Sequence, residues 1–407
     1  MEVQLSPGQS NAIDRIAEEE GFEDFDVTTN AGSLKGDNYM GVITKVGVKN
    51  HRKKLDLILK SASSNVKLRE IVPIRKAFVR EITIYETVFP AFDEFLKENG
   101  CPEGFSGHPK VYGTCNEENE EFLLLENLKE IGYDLWERTT PMDWDHVALV
   151  LKEYGKFHAI SLAMKEKNPE IYDKLTKDLT NVFARDGQDQ DEMKEIIERE
   201  ARKALSNGIK AVKGNRKAEE AMEKFSDTIF QFFQELQMPE NHLVLLHGDC
   251  WCNNLLFKYE DPKTKRPSKV CLIDWQLSVK GSPAVDLSYF LFTCAPKEIL
   301  ADHQKYLKIY HDAASETLRN VGCDPNTVFP FALLEKHWRK YAKFGVYLAV
   351  MVLKLMLSEK SEVPDLTEAA DAGKSFLEGI SYDSVNNDDY NRRLLDVVVV
   401  CVENDWL

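Results

Sequence analysis

The chain has 407 residues, 43% apolar and 29% charged, with a net charge of −16. That is length for two ordinary domains or one bilobal one, with the balance of a globular protein. The negative charge repels a nucleic acid backbone and an anionic membrane, so neither is an expected partner. The longest apolar run, 344–353, is too short to span a bilayer. Cysteines at 101, 115, 250, 252, 271, 294, 323 and 401 follow no disulfide or zinc spacing. Met1-Glu2-Val3-Gln4-Leu5-Ser6 has no secretory pattern, so a reduced, cytoplasmic protein is expected.

Up to about residue 21, Ile13, Ile16 and Ala17 recur at helical spacing. Residues 28–39 read as a loop rich in Gly, Ser and Asn, flanked by strands. Val42, Thr44, Val46 and Val48 alternate on one face of the first of these. Leu55, Leu57 and Leu59 alternate on the next, which turns Asp56, Ile58 and Lys60 to the other side. Phe78, Ile82, Tyr85 and Phe89 give 71–98 a helical period, and strands follow at 111–113 and 122–125. Beyond residue 127 the pattern is mostly helical. An amphipathic helix is expected at 147–165, and two helices at 190–237 broken near Gly208 or Gly214. Segments 255–259 and 270–273 read as a hairpin, and helices then dominate from Pro296 to about Gly379. The tail is acidic and ends in an apolar segment at 397–402. The expected class is α+β: a bilobal, protein kinase-like fold. Its N-lobe, residues 1–126, holds an antiparallel sheet and a helix; its larger, mainly helical C-lobe is 127–407.

The most specific signal is His247-Gly248-Asp249-Cys250-Trp251-Cys252-Asn253-Asn254, which follows the apolar run Leu243-Val244-Leu245-Leu246. A second run, Val270-Cys271-Leu272-Ile273, ends in Asp274. An Asp, an Asn five residues later and an Asp at a strand end form the spacing that phosphoryl transfer to a hydroxyl needs. Asp249 is the expected base, and Asn254 and Asp274 the expected Mg2+ ligands on ATP. Asn253 is the rival that the five-residue offset disfavours. Upstream, the loop with Ser33, Gly36, Asp37 and Asn38 can turn backbone N–H groups to phosphates. Lys60 can pair with the α- and β-phosphates, with Glu81 orienting it in preference to Glu86. Glu126 and Leu128 lie in a hinge whose backbone suits adenine. Lys60 and Asp249 are expected to face one cleft. Asp286 is expected to anchor the loop, and His247 to shape it. Gly248 stands where regulated protein kinases carry Arg, and Trp275-Gln276 follows Asp274 in place of Phe-Gly. A peptide acceptor is therefore disfavoured and a small molecule favoured.

These residues resemble the ecdysteroid kinase-like family, also called choline kinase-like, within the aminoglycoside phosphotransferase and choline kinase superfamily. The likeness covers roughly residues 30–350. It rests on Gly36-Asp37-Asn38-Tyr39, Lys60, Phe78 with Glu81 and Tyr85, and Leu125-Glu126-Asn127-Leu128. It continues in Phe157-His158-Ala159 with Ser161, in His247-Gly248-Asp249 with Trp251 and Asn253-Asn254, and in Ile273-Asp274-Trp275-Gln276. Pro283 with Asp286-Leu287-Ser288-Tyr289 completes it. Cys250 replaces the more frequent Leu, and Trp275 a frequent Phe. The resemblance implies ATP- and Mg2+-dependent phosphorylation of a small-molecule hydroxyl, an ecdysteroid first. The alternatives are a choline- or ethanolamine-type kinase and an inactive member that only binds. The complete set Lys60, Glu81, Asp249, Asn254 and Asp274 favours activity. Trp338, Tyr341, Phe344 and Tyr347 lie on one predicted helical stretch; they would suit a quaternary ammonium or a steroid, although core packing is the simplest reading.

Overall fold

A computed structural model describes residues 3–32, 40–183, 190–238, 240, 242–261, 265–359, 362, 366–373 and 387–407. The chain divides into two compact units, and not by a single cut at 126/127. One comprises Met1–Val88, His108–Asp134 and Lys360–Tyr382; the other comprises Phe89–Gly107, Leu135–Glu359 and Asp383–Leu407.

The first unit is built on five antiparallel strands: Asp26–Ala31 (β1), Gly41–Lys49 (β2), Lys54–Ala62 (β3), Val111–Cys115 (β4) and Phe122–Glu126 (β5), in the order β1-β2-β3-β5-β4. Thr28–Ala31, expected in the loop, instead pair with Gly47–Thr44 of β2. The buried Thr29 exchanges hydrogen bonds with the backbone of Val3, which rewards an extended strand there. Helix Pro7–Glu19 (α1) starts on a capping box between Ser6 and Gln9 with Pro7 in its first turn. Its Ile13, Ile16 and Ala17 pack on Val46, Val48, Leu57, Leu59, Phe122 and Leu124. On β3 the strand period turns Lys60 away from Leu57 and Leu59. It runs under helix Ile74–Thr83 (α3), which follows the short helix Val66–Ile71 (α2). Two arginines, Arg69 and Arg75, close over the buried Glu121 at 2.5 and 3.1 Å. Burial works to raise that carboxyl, but the hydrogen bonds from Arg69, its own backbone and Arg75 prevail and hold it down to about 2. Beyond α3 the chain makes a π turn, Ile84–Val88; the short strand Tyr133–Leu135 (β6) falls at the unit boundary in sequence.

The second unit is mainly helical. Its helices are Phe89–Glu98 (α4), Trp144–Lys167 (α5), Pro169–Thr176 (α6), Gln190–Ala211 (α7), Arg216–Gln237 (α8), Pro283–Cys294 (α9), Lys297–Leu300 (α10), His303–Asn320 (α11), Pro325–Val328 (α12), Phe331–Tyr341 (α13), Lys343–Leu357 (α14) and a C-terminal helix, Asn387–Glu403. The break between α7 and α8 comes at Gly214, with φ +98°, and Gly208 lies inside α7. α5 is longer than its amphipathic pattern suggests and is buried on most of its surface. All twelve residues of α9 are buried. α5 and α11 meet where a Cβ on Gly155 would lie 2.6 Å from Tyr310 O, and α9 and α14 meet where one on Gly345 would lie 2.4 Å from Ser288 O. The stretch expected to run through Trp338, Tyr341, Phe344 and Tyr347 is two helices. Trp338 and Tyr341 on α13 are core residues, 1% and 2% exposed, against half-buried Phe344 and Tyr347 on α14. Strand Val244–Leu246 (β7) pairs antiparallel with Val279–Gly281 (β10), and Leu255–Tyr259 (β8) with Pro267–Leu272 (β9). The antiparallel N-terminal sheet and the helical remainder are those of the expected kinase-like α+β class.

Candidate active site

The fully buried β7 delivers His247 to a tight loop. Atom Nε2 of His247 donates to Ile273 O at 3.0 Å and Nδ1 accepts the Asp249 N–H at 3.2 Å, so the ring is neutral with its proton on Nε2. Burial is the chief reason its pKa is lowered, against the charges of Asp286 and Asp274. At Gly248 the backbone turns with φ +85°, and a Cβ would lie 2.3 Å from Leu277 O. A side chain is therefore excluded where a regulated protein kinase carries Arg.

Asp286, in the first turn of α9, accepts the backbone N–H of His247 at 2.7 Å and of Gly248 at 3.0 Å. Its Oδ2 also meets His158 Nε2 at 3.2 Å, while His158 Nδ1 meets Tyr310 Oη at 3.1 Å. Burial pushes the Asp286 carboxyl up, but His158, His247 and the loop amides pull it below the usual range. Asp286 thus stays ionised and works on the loop backbone.

Asp249 is half-buried. Tyr289 Oη donates to its Oδ1 at 2.8 Å, and Asn254 Nδ2 donates to its Oδ2 at 2.8 Å and to its carbonyl at 3.0 Å. Burial first, and then the charge of Asp274, push its carboxyl up to about 7 against the hydrogen bonds of Tyr289, Asn254 and Trp251. Asn254 closes a 3-10 turn, Cys252–Asn254, and its carbonyl accepts the Ile273 N–H at 3.1 Å, which ties the loop to the chain just before Asp274. Asp274 adopts a left-handed backbone, φ +68°, a strained conformation for a side-chain-bearing residue. Asn254 is therefore the amide at Asp249, while Asn253 accepts from the Cys252 thiol. Cys250 and Cys252 are buried free thiols. Among the described residues no three or more His, Cys, Asp or Glu gather as a metal cage. Asp249 and Asp274 are two carboxylates complemented by an amide.

In the first unit Lys60 Nζ lies 2.5 Å from Glu81 Oε2, with the residues 4% and 0% exposed. The ring of Phe78 lies 5.7 Å from the ammonium. Glu86 is exposed and accepts from Thr114 Oγ1, so Glu81 is the carboxylate that meets Lys60. Lys60 stands two residues before the end of β3. In the segment expected to be a hinge, Glu126 donates its N–H to Lys110 O at 2.8 Å, and Leu128 is buried at the start of a 3-10 turn capped by Asn127. Ser33, Gly36, Asp37 and Asn38 lie outside the described residues. Sequence reasoning gave no role to Tyr289 or to the His158–Asp286 contact. One signal was available: Asp286 and Tyr289 are three residues apart on a helix and so share a face.

The family model for the ecdysteroid kinase-like family matches residues 35–323. A 4-hydroxytryptamine kinase from Psilocybe cyanescens is 29% identical over 125 residues, which are 28% of this chain and 32% of that protein; the match spans about a third of the relative's length. Among solved structures, Plasmodium vivax ethanolamine kinase aligns over 100% of this chain and 93% of its own, at 12% identity and a TM-score of 0.45. The GDP complex of an aminoglycoside 2'-phosphotransferase-IIIa mutant aligns over 98% and 96%, at 11% identity and a TM-score of 0.44. With its family match running through both the Lys60 strand and the Asp249 loop, the chain belongs to the ecdysteroid kinase-like family.

Proposed function

We propose that this protein transfers the γ-phosphoryl group of ATP to a hydroxyl of a compact, largely apolar small molecule, with an ecdysteroid as first choice. The observation that carries the reading is Asp249. Its carboxylate is gripped on one oxygen by an Asn five residues on and on the other by Tyr289, and it shares its surroundings with a second carboxylate, Asp274. In this reading Asp249 takes the acceptor proton as the hydroxyl oxygen attacks.

The residues present fit Mg2+, which prefers hard oxygen ligands. Asn254 spends its Nδ2 on Asp249, so its Oδ1 is the atom left for a cation, and Asp274 supplies a carboxylate. Repulsion between Asp249 and Asp274 is what a divalent cation would relieve. When bound, Mg2+–ATP supplies the phosphoryl group and neutralises its charge. Lys60, oriented by Glu81, would hold the α- and β-phosphates. The loop with Ser33, Gly36, Asp37 and Asn38 would add backbone N–H groups, and the backbone at Glu126 and Leu128 would meet adenine. The free thiols support a reducing cytoplasmic setting. A choline-type acceptor is the second reading; Trp338 and Tyr341 sit in the core, so they supply neither an aromatic box for it nor a wall for a steroid.

The test is competitive. Purified protein is incubated with ATP, Mg2+ and a mixture of ecdysteroid, choline, ethanolamine and 4-hydroxytryptamine, and phosphate esters are sought by mass spectrometry. Steroid phosphate is expected. Phosphocholine alone would overturn the acceptor and leave the kinase, whereas no ester with any alcohol would overturn both.

A further inference from the structure

Both oxygens of Asp249 are held, and by different elements. Tyr289 reaches Oδ1 from α9, and Asn254 reaches Oδ2 from within the loop, each at 2.8 Å. Tyr289 is only 5% exposed, and burial together with the nearby Asp249 charge raises its phenol well above the usual value. It therefore remains a donor at working pH. The helix that carries it is immobilised. α9 is buried along its length, and the carbonyl of the preceding Ser288 is packed against Gly345 of α14, with no room for a Cβ. One turn earlier on the same face, Asp286 holds the loop backbone at His247 and Gly248. A single helix face thus grips the loop twice, once by its main chain and once by its carboxylate.

A carboxylate offers about four acceptor positions. Asn254 and Trp251 tie the carboxylate only to the loop that carries it. Tyr289, on the opposite oxygen and from the separately anchored α9, fixes the plane against the helix and leaves a defined lone pair for a further partner. We propose that Tyr289 is a positioning residue for phosphoryl transfer: it sets the plane of the Asp249 carboxylate so that a remaining acceptor position meets the substrate hydroxyl. This rests on the kinase reading above. Small errors in such geometry cost rate, not nucleotide affinity.

The variant Tyr289→Phe removes one oxygen and keeps the ring. With the acceptor found above, kcat is expected to fall roughly tenfold to a hundredfold, with KM for ATP within about twofold. Replacing Tyr289 by p-aminophenylalanine restores a donor at the same point and is expected to recover most of kcat. Crystal structures of wild type and Tyr289→Phe supply a readout that needs no turnover: the Asp249 carboxylate is expected to rotate in the variant. An unchanged kcat, a KM for ATP that moves as much as kcat, or failed rescue would each overturn the positioning role. So would a carboxylate that stays in place. If the wild type phosphorylates no alcohol, the kinase reading falls, and the carboxylate plane in the two crystal structures still decides whether Tyr289 positions Asp249.

Discussion

The Lys60–Glu81 pair and the Asp249 loop hold charged groups by opposite means. Lys60 and Glu81 meet at a short contact, almost fully buried in a sheet-and-helix layer. The Asp249 loop is held by a mesh instead. Asp286, Tyr289, Asn254, His247 and the Ile273 carbonyl each take part, and the carboxylate itself stays half-buried. A short, buried charge–charge contact fixes both members in one place. A mesh spreads position over many bonds and leaves the reactive group open to a partner. The first arrangement suits a fixed charge, the second a group that must exchange a proton.

The sharpest division between the two comes from chemistry. Asp249→Asn is expected to lower turnover by about 10² to 10⁴ while Mg2+–ATP affinity, measured by calorimetry, changes little. Asp274→Asn is expected to weaken both. Equal loss of nucleotide binding in the two variants would place Asp249 among the ligands of the nucleotide instead.

Stability separates the regions next. Lys60→Met removes the ammonium that meets the buried Glu81 carboxylate and is expected to destabilise by about 3–5 kcal/mol in urea unfolding. The double variant Lys60→Met/Glu81→Met should recover much of that loss. If the single variant is as stable as the double, the pair is not coupled and the contrast with the loop is gone.

Gly248→Ala tests the mesh. The left-handed backbone and the clash with Leu277 O predict a loss of about 1–3 kcal/mol, with turnover falling as the loop shifts. Full activity and full stability would show that the loop tolerates displacement.

An effect confined to acid pH concerns the support beneath α9. Ser282, which caps that helix, bonds His337 Nδ1 at 2.8 Å. Burial is the main reason the His337 pKa is lowered, to about 4. The unfolded imidazole takes its proton near pH 6.5, the folded one only near 4, so the unfolded chain binds more protons in that window. The stabilisation is fully present above about 6.5 and is lost as pH falls through about 4, up to about 3 kcal/mol in all. The slope of unfolding free energy against pH should flatten in His337→Asn. An unchanged slope would assign the acid sensitivity to other groups, such as Glu121, whose loss belongs to the lower window between about 4.5 and 2.

Much of this was legible in the order of residues. Period-two alternation in β3 sufficed to turn Lys60 away from Leu57 and Leu59, because a strand has only two faces. The five-residue offset from Asp249 pointed to Asn254, which is the amide that bonds Asp249, whereas Asn253 accepts from Cys252. Thr28–Ala31 were misread as loop, since their polar side chains hide a backbone ladder that only the partner strand completes. Trp338 and Tyr347 were joined into one helix because the turn at Ala342 carries no Gly or Pro to mark it.

Local spacing, then, determined which residue types come together in the Lys60 strand and in the Asp249 loop, because both motifs lie within a few residues of a strand. Tertiary structure decided what those residues are. That Asp249 is pushed up to about 7, that Asp286 stays charged and that Tyr289 reaches Oδ1 all depend on α5, α9, α11 and α14 packing around the loop. A pKa or a hydrogen bond of this kind is set by whatever surrounds a group in space, and a chain read in one dimension does not contain those distances.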